Sequence, residues 1–157
     1  MTAPAMNAAG IRVLIAEDHV DSATSIGRLL RLFGYEVAIA TNGEDAVRVA
    51  GWFAPAAALI DLTLPVLDGF GVARALRENV ATRDCRLVAM TGWTADEYAA
   101  RTRDAGFDSH LVKPIAVEAL INALSPAVPS TSANGPAPAP RSIAAQRARR
   151  TNHAEVR

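Results

Sequence analysis

The chain has 157 residues, half of them hydrophobic, which is enough for one domain with a buried core. Its formal charge is zero overall, but residues 1–124 hold 11 Lys/Arg against 15 Asp/Glu, whereas residues 125–157 hold 5 against 1. The acidic body argues against DNA binding by the folded domain, and the single cysteine, Cys85, excludes an internal disulfide and a Cys-based zinc site.

From the N-terminus onward, the chain alternates between short apolar runs and stretches with helical periodicity. The apolar runs, which predict strands, are Ile11–Ala16, Val37–Ala40, Ala56–Ile60, Leu87–Met90 and Leu111–Val112. Five helices are predicted between and after these strands. The first is followed by Gly34 as its C-terminal cap, and the others lie around Glu44–Ala50, from Phe70 onward, from Thr94 onward and over Ala116–Leu124. Nearly apolar strands separated by helices predict an α/β fold, a doubly wound five-stranded parallel sheet covered on both faces.

The predicted domain spans residues 11–124, and the composition changes on either side of it. Residues 1–10 are predicted to be disordered and lack the basic start and apolar centre of a secretion signal. Residues 125–157 are Pro/Ala-rich and then Arg-rich, which predicts a disordered tail. We interpret the tail as a solvated segment, with attachment to a nucleic acid, membrane or acidic partner as the alternative. Since no apolar run approaches the roughly 18–20 residues of a membrane helix, the sequence predicts a cytoplasmic protein without a membrane segment.

Reactive side chains follow four of the predicted strands. They are Glu17 and Asp18 after the first strand, Asp61 after the third, Thr91 after the fourth and Lys113 after the fifth. The carboxyl ends of parallel strands meet at one edge of a sheet, where ligands bind, so we expect these side chains to converge. Three carboxylates repel one another unless a hard cation binds them, which indicates Mg²⁺ or Mn²⁺.

A cation beside a hydroxyl and an ammonium forms a cradle for a phosphoryl group in transfer. Asp61 is placed to be the nucleophile, because it stands between the acidic pair and the side that carries Thr91 and Lys113. Lys113 is expected to pair with Asp61 and with the incoming phosphoryl group as a mobile point charge.

These residues carry a family resemblance. The pieces are Glu17-Asp18, Asp61-Leu-Thr-Leu-Pro-Val-Leu-Asp-Gly69, Met90-Thr-Gly92 and Lys113-Pro114. In this order at the strand ends they resemble the response-regulator receiver family of two-component signalling, over residues 11–124. The resemblance implies a flavodoxin-like sheet of order 2-1-3-4-5, and the segment from Trp93 to Lys113 is most similar to receivers attached to hybrid histidine kinases.

The same resemblance implies roles for individual residues. Asp61 would be the phosphorylation site, Asp18 a direct metal ligand, Glu17 a ligand through water, and the backbone carbonyl of Thr63 a further ligand. Thr91 would hydrogen-bond the phosphoryl group and move toward it on activation, and Gly92 would leave room for the phosphate.

Three positions depart from the family pattern. Glu17 replaces the commoner Asp, Leu64 stands where Met is frequent, and His110 occupies a position that often carries Tyr or Phe. With Thr91, the residue at position 110 belongs to the switch that the resemblance implies, so His110 puts the output side of that switch in question.

Each candidate residue also has a plainer interpretation. Glu17 and Asp18 would merely cap the first helix, Asp61 would form an Asx-turn, and Lys113 would be an exposed lysine before a proline. For the aromatic residues, packing is the preferred interpretation of Trp52, Phe53, Trp93 and Tyr98, with a partner site as the alternative for the last two.

Two other classes of protein compete with the receiver. A haloacid-dehalogenase-type phosphatase would need Asp-x-Asp after the first strand, whereas Asp61 follows the third and position 63 is Thr. A flavodoxin-like FMN protein would need a Ser/Thr/Gly-rich loop where Glu17-Asp18-His19-Val20-Asp21 stands.

The sequence therefore predicts a signalling switch, not an enzyme, which takes phosphate from a histidine kinase or a histidine phosphotransfer protein. Its downstream protein target is unknown, and output by protein contact, phosphate relay and phosphate sink remain open.

Overall fold

Five parallel strands form the centre of the fold. They are β1 (Arg12–Ala16), β2 (Glu36–Ala40), β3 (Ala57–Asp61), β4 (Arg86–Thr91) and β5 (Ser109–Val112). Their order in the sheet is β2-β1-β3-β4-β5, with every neighbouring pair parallel. This computed structural model describes residues 8–93 and 95–127 of the chain. The predicted fold class and strand order are confirmed.

Five helices connect and follow the strands. They are α1 (Val20–Leu32), α2 (Gly43–Phe53), α3 (Gly69–Glu78), α4 (Ala95–Ala105) and α5 (Val117–Leu124), with a 3₁₀ turn over Ser125–Ala127. The side chains of His19, Asn42 and Asp68 cap the first three helices by accepting backbone N–H groups. At the end of α1, Gly34 has φ 95°, the left-handed conformation that glycine adopts without steric cost.

The helix α2 is longer than the sequence predicted. It begins at Gly43, because the Asn42 side chain accepts the Asp45 N–H at 2.8 Å, and it continues past Ala50 to Phe53. Gly51 weakens the helical pattern in the sequence, but Ala46 and Ala50 are fully buried and hold this helix on the sheet.

Alternation along the strands divides the core into two layers. On one face, Leu14 and Ala16 of β1 belong to the cluster that includes residues of α2, α3 and α4. On the other face, Val13 and Ile15 belong to the cluster that includes residues of α1 and α5. Because side chains alternate across a strand, a nearly apolar strand requires helices on both faces of the sheet.

The packed region is slightly wider than the predicted domain. Ala8 is buried and its carbonyl accepts the Ile11 N–H at 3.0 Å, so contacts with the core begin before the predicted boundary at Ile11. Beyond Leu124 the 3₁₀ turn continues the fold to Ala127. The remaining residues of the predicted disordered ends, 1–7 and 128–157, lie outside the described residues, as does Thr94, the predicted start of the fourth helix. In the described ranges, no helix has the length and apolar character needed to span a membrane.

Candidate functional site

The carboxyl ends of β1, β3, β4 and β5 bring together the side chains that the sequence singled out. Glu17 directly follows β1, and its N–H donates to the Ala40 carbonyl at 3.0 Å, so it continues the pairing with β2. Asp61 and Thr91 are the last residues of β3 and β4, and Lys113 directly follows β5. The predicted convergence at one edge of the sheet is therefore present.

Asp61 is a buried carboxylate whose two oxygens have different partners. Its Oδ1 accepts hydrogen bonds from the backbone N–H and the hydroxyl of Thr63, at 2.8 and 2.9 Å. Its Oδ2 accepts a hydrogen bond from Lys113 Nζ at 2.6 Å. The contact with Thr63 is an Asx-turn, so the plainer interpretation of Asp61 is correct as well. That turn orients one oxygen and leaves the other to the lysine.

Three carboxylates form a cluster with the geometry of a cation site. Glu17, Asp18 and Asp61 each offer an oxygen atom, and these atoms lie within 4.8 Å of one another. Glu17 and Asp61 are buried whereas Asp18 is exposed. Carboxylate oxygens are the ligands that hard dications prefer, and an exposed third ligand leaves a side on which the cation retains water. The cluster therefore fits Mg²⁺ or Mn²⁺.

Lys113 bridges the two buried carboxylates. Its ammonium donates to Glu17 Oε2 at 2.7 Å as well as to Asp61 Oδ2. The sequence predicted the contact with Asp61 and missed the contact with Glu17. A carboxylate with 1% exposure needs a counter-charge, but the sequence does not show how deeply Glu17 is buried or which cation reaches it.

The three groups differ in how burial and pairing affect their pKa values. Burial raises the pKa of Glu17, and the hydrogen bond from Lys113 offsets only part of that effect. Burial also opposes ionisation of Asp61, but the hydrogen bonds from Lys113 and Thr63 outweigh it and lower the pKa of that carboxyl. Burial opposes the charge on Lys113, yet the two carboxylates raise its pKa above the ordinary value. Of the two buried acids, Asp61 is thus the one whose carboxylate form the surroundings favour.

Thr91 and Gly92 line the edge between Asp61 and α4. Thr91 is buried, and its hydroxyl oxygen accepts the Trp93 N–H at 3.1 Å. A side chain placed on Gly92 would have no atom within 4 Å. That this residue leaves room for a phosphate stays a prediction.

His110 and Trp93 both lie at the surface. His110 is exposed on β5, and its role as a switch residue stays a prediction.

The Trp93 side chain is 56% exposed and its ring lies 5.9 Å from that of Tyr98, which stacks on Phe70 at 6.5 Å. Packing is therefore the correct interpretation of Tyr98 and the wrong one for Trp93. It is also wrong for Trp52, which is 68% exposed at the end of α2.

Two further residues support the site without having been predicted to do so. His19 caps α1 through its Nδ1, so the interpretation of Glu17 and Asp18 as the caps of that helix is wrong. Instead, Glu17 Oε1 accepts the His19 N–H at 3.0 Å. Gly69, at the start of α3, lies directly against the backbone of Asp61. The Asp-x-Thr spacing indicates the Thr63 contact in the sequence, whereas no sequence signal indicates the close approach of Gly69.

The fold and the site define an α/β protein with a 2-1-3-4-5 sheet. The carboxyl edge of that sheet carries a lysine and a cluster of carboxylates that fits a cation. The family model of the response regulator receiver domain matches residues 13–125. The chain is 36% identical over 110 residues to the transcriptional regulatory protein PrrA of Mycobacterium tuberculosis, covering 70% of this chain and 46% of that protein. It is also 36% identical over 118 residues to the transcriptional regulatory protein PdtaR of the same organism, covering 74% and 56%. The chain thus spans about half the length of these relatives.

Solved structures show the same similarity. The receiver domain of a sensor histidine kinase from Pseudomonas aeruginosa, with a magnesium ion in its active site cleft, has 33% identity and a TM-score of 0.68, covering 74% of this chain and 95% of that one. The chemotaxis protein CheY4 of Vibrio cholerae has 26% identity and a TM-score of 0.72, covering 76% and 100%. This chain belongs to the response regulator receiver family of two-component signalling. Receiver domains of this family act as signalling switches, bind Mg²⁺ in the active site and interact with histidine kinases.

Proposed function

We propose that this receiver accepts a phosphoryl group on Asp61 from a histidine kinase or a histidine phosphotransfer protein, in a reaction that depends on Mg²⁺. The observation that carries the proposal is the environment of Asp61. It is a buried carboxylate with a lowered pKa, it shares a lysine with Glu17, and it belongs to a cluster that fits a dication.

The residues of the site divide the work of phosphoryl transfer. Asp61 attacks the phosphorus through a carboxylate oxygen, so an O–P bond forms while the P–N bond to the donor histidine breaks. The Asx-turn with Thr63 fixes the carboxylate, because two hydrogen bonds hold Oδ1 in place. Lys113 stabilises the negative charge on the transferred oxygens, and the Thr91 hydroxyl, at the end of the neighbouring strand, donates to one of them.

Glu17, Asp18, Asp61 and the backbone carbonyl of Thr63 would hold the cation. Bound there, Mg²⁺ supplies charge neutralisation between the nucleophile and the phosphoryl oxygens. Thr63 contacts Asp61 through its N–H and its hydroxyl, and its carbonyl is assigned to the cation from the family resemblance alone. On this proposal the protein works in the cytoplasm as a switch, with Thr91 and His110 in its moving part.

The test uses acetyl phosphate and Mg²⁺, followed by intact mass spectrometry. We expect a single phosphoryl adduct on the wild type and none on Asp61→Asn, which keeps the size of the side chain and removes the nucleophilic charge. EDTA should suppress the adduct on the wild type. An adduct that persists in Asp61→Asn would show that another residue is the acceptor.

A further inference from the structure

A groove beside the carboxylate cluster lies between α1 and the loop that joins β5 to α5. Its volume is about 650 Å³, and its lining includes Glu17 and Lys113 of the candidate site. The other residues that line it are Asp21, Ser22, Ser25, Ile26, Pro114 and Ile115. A segment bound in this groove would therefore lie against two of the groups that form the site around Asp61.

The groove combines apolar and acidic side chains. Ile26 and Ile115 are half-buried and pack against the core on the α1 and α5 face of the sheet. Asp21 in the lining is exposed, and with the three carboxylates of the cluster it makes four acids against the Lys113 ammonium, a formal charge of −3. Such a surface matches a segment that carries several positive charges between small apolar side chains.

The chain itself contains a segment of that kind. Residues 141–150 read Arg-Ser-Ile-Ala-Ala-Gln-Arg-Ala-Arg-Arg, with four arginines and no acidic residue, so their formal charge is +4. Ile143 and three alanines lie between the arginines. Charge complementarity thus favours the interpretation in which the tail has an acidic partner, and the domain to which the tail is attached offers one.

The segment can reach the groove from the end of the 3₁₀ turn. Arg86, the first residue of β4, donates through Nε to the Ala123 carbonyl at 2.6 Å, so α5 ends at the amino edge of the sheet. The 8 residues of α5 and the 3 residues of the turn place Ala127 roughly 18 Å from the start of α5. Residues 128–140 then supply a linker that extends to about 43 Å at most.

The same linker makes a weak contact sufficient. A flexible chain of this length has an r.m.s. end-to-end distance of about 20 Å, which is close to the span that it must cover. An attached segment then has an effective concentration on the order of millimolar at the groove. Binding within one chain is therefore favoured over binding between two copies at ordinary protein concentrations.

We propose that residues 141–150 bind in this groove of their own domain and form an autoinhibitory contact at the candidate site. The arginine side chains then lie near carboxylates that also bind a cation, so the segment and Mg²⁺ each lower the affinity of the other. The inference goes beyond the proposed function, because it concerns access to the site and requires no phosphoryl transfer.

Paramagnetic relaxation in the ¹⁵N-labelled whole chain tests the contact directly. Ala144→Cys carries a nitroxide label, whereas Cys85 is buried and stays unlabelled. At low ionic strength in EDTA, the amide signals of Ser22, Ser25 and Ile115 should lose intensity, and that of Arg74 on α3 should not. Saturating Mg²⁺, or about 0.5 M NaCl to screen the charges, should restore the lost intensity.

Two matched substitutions on α1 test whether the groove is the binding surface. Ser25→Arg adds a positive charge in the groove, and Leu32→Arg adds the same charge at the far end of the helix, where Leu32 is 85% exposed. Ser25→Arg should abolish the loss of intensity at Ser22 and Ile115, and Leu32→Arg should retain it. Equal losses in the wild-type and Ser25→Arg backgrounds would overturn the proposal.

Isothermal titration calorimetry measures the competition with Mg²⁺. The tail variant replaces all four arginines of the segment, by Arg141→Gln, Arg147→Gln, Arg149→Gln and Arg150→Gln. At low ionic strength it should bind Mg²⁺ at least about twofold more tightly than the wild type, the effect of freeing a site that is covered half of the time or more. At about 0.5 M NaCl the two affinities should be equal. Equal affinities at low ionic strength would refute the competition.

The outcomes separate this inference from the proposed function. Signal losses that are absent, or that spread evenly over the domain, would overturn the contact and leave phosphorylation of Asp61 unaffected. Losses in a mixture of ¹⁵N-labelled wild type and unlabelled, spin-labelled chain would show binding to a second copy, which also overturns the contact within one chain. No measurement uses a phosphodonor, so a failure to label Asp61 has no bearing on the result.

Discussion

Gly69 offers a test of how closely the start of α3 must approach Asp61, the proposed phosphoacceptor. A Cβ on this residue would lie 2.4 Å from the carbonyl oxygen of Asp61 and 2.7 Å from the Cα of Leu62. Ordinary contact begins near 3.4 Å, so Gly69→Ala forces the end of β3 and the start of α3 apart by about 1 Å. Both neighbours are backbone atoms, which cannot rotate away as a side chain would.

We expect two consequences of Gly69→Ala. Overpacking should lower the free energy of unfolding by about 1–3 kcal/mol. If the displacement reaches the Asp61 carboxylate, the rate of labelling by acetyl phosphate should fall on the order of 100-fold, the usual effect of misplacing a reacting group by about 1 Å. Urea denaturation measures the first effect, and the time course of intact mass measures the second.

Gly51→Ala is the matched control. Gly51 lies in the exposed part of α2, and an added Cβ there would have no atom within 4 Å. This substitution should stabilise the protein by about 0.5–1 kcal/mol, because alanine is the better helix former, and it should leave labelling unchanged. Wild-type stability and labelling in Gly69→Ala would refute the contact. Lower stability with normal labelling would show that the Asp61 carboxylate keeps its position even though the backbone of Asp61 is displaced.

Three further predictions concern burial and charge. Arg77→Met removes a guanidinium that donates to three backbone carbonyls and pairs with Asp108 at 2.9 Å, so urea denaturation should show a loss of about 3 kcal/mol; a loss below 1 kcal/mol would contradict the reasoning. Burial raises the pKa of Cys85 to about 12, so at pH 8 a thiol reagent should modify it only after unfolding, and rapid modification of the native protein would argue against this burial. Because the folded-state pKa of Glu17 is raised, ionising it destabilises the cation-free protein as pH rises. Glu17→Gln should therefore stabilise the protein in EDTA at pH 7 and lose that advantage below the ordinary carboxyl pKa of 4.5, whereas a gain that does not vary with pH would exclude an ionisation effect.

The sequence predicted the strands and the polar residues at their ends because both depend on local patterns, whereas the strand order was implied by the family resemblance. Each apolar run ends in a polar residue, and the sheet places those ends at one edge. The predicted ends of the strands nevertheless differ from the observed ones by one or two residues. Arg86 and Thr91 lie inside β4, and Asp61 inside β3, because backbone pairing continues after the apolar pattern stops.

The exposure of aromatic side chains was harder to predict. Trp52 and Phe53 are adjacent and equally apolar, but a helix turns successive residues about 100° apart. Phe53 therefore packs partly against the core while Trp52 faces solvent. Their phase relative to the sheet depends on where α2 begins, which is set by the Asn42 cap and not by the aromatic residues themselves.

The two edges of the sheet differ in a way that composition cannot reveal. At the amino ends of β4 and β5, the Arg77 guanidinium is matched by the Asp108 carboxylate and by carbonyls, so charge is balanced and the contacts stabilise the fold. At the carboxyl ends, three carboxylates form a cluster in which one ammonium pairs with two of them, and the burial of Glu17 raises its pKa. The sequence allows the charges to be counted, but their depth and partners follow from packing around residues such as Gly69. The proposed binding of a cation and a phosphoryl group at a site left short of positive charge requires that the rest of the fold tolerate this imbalance.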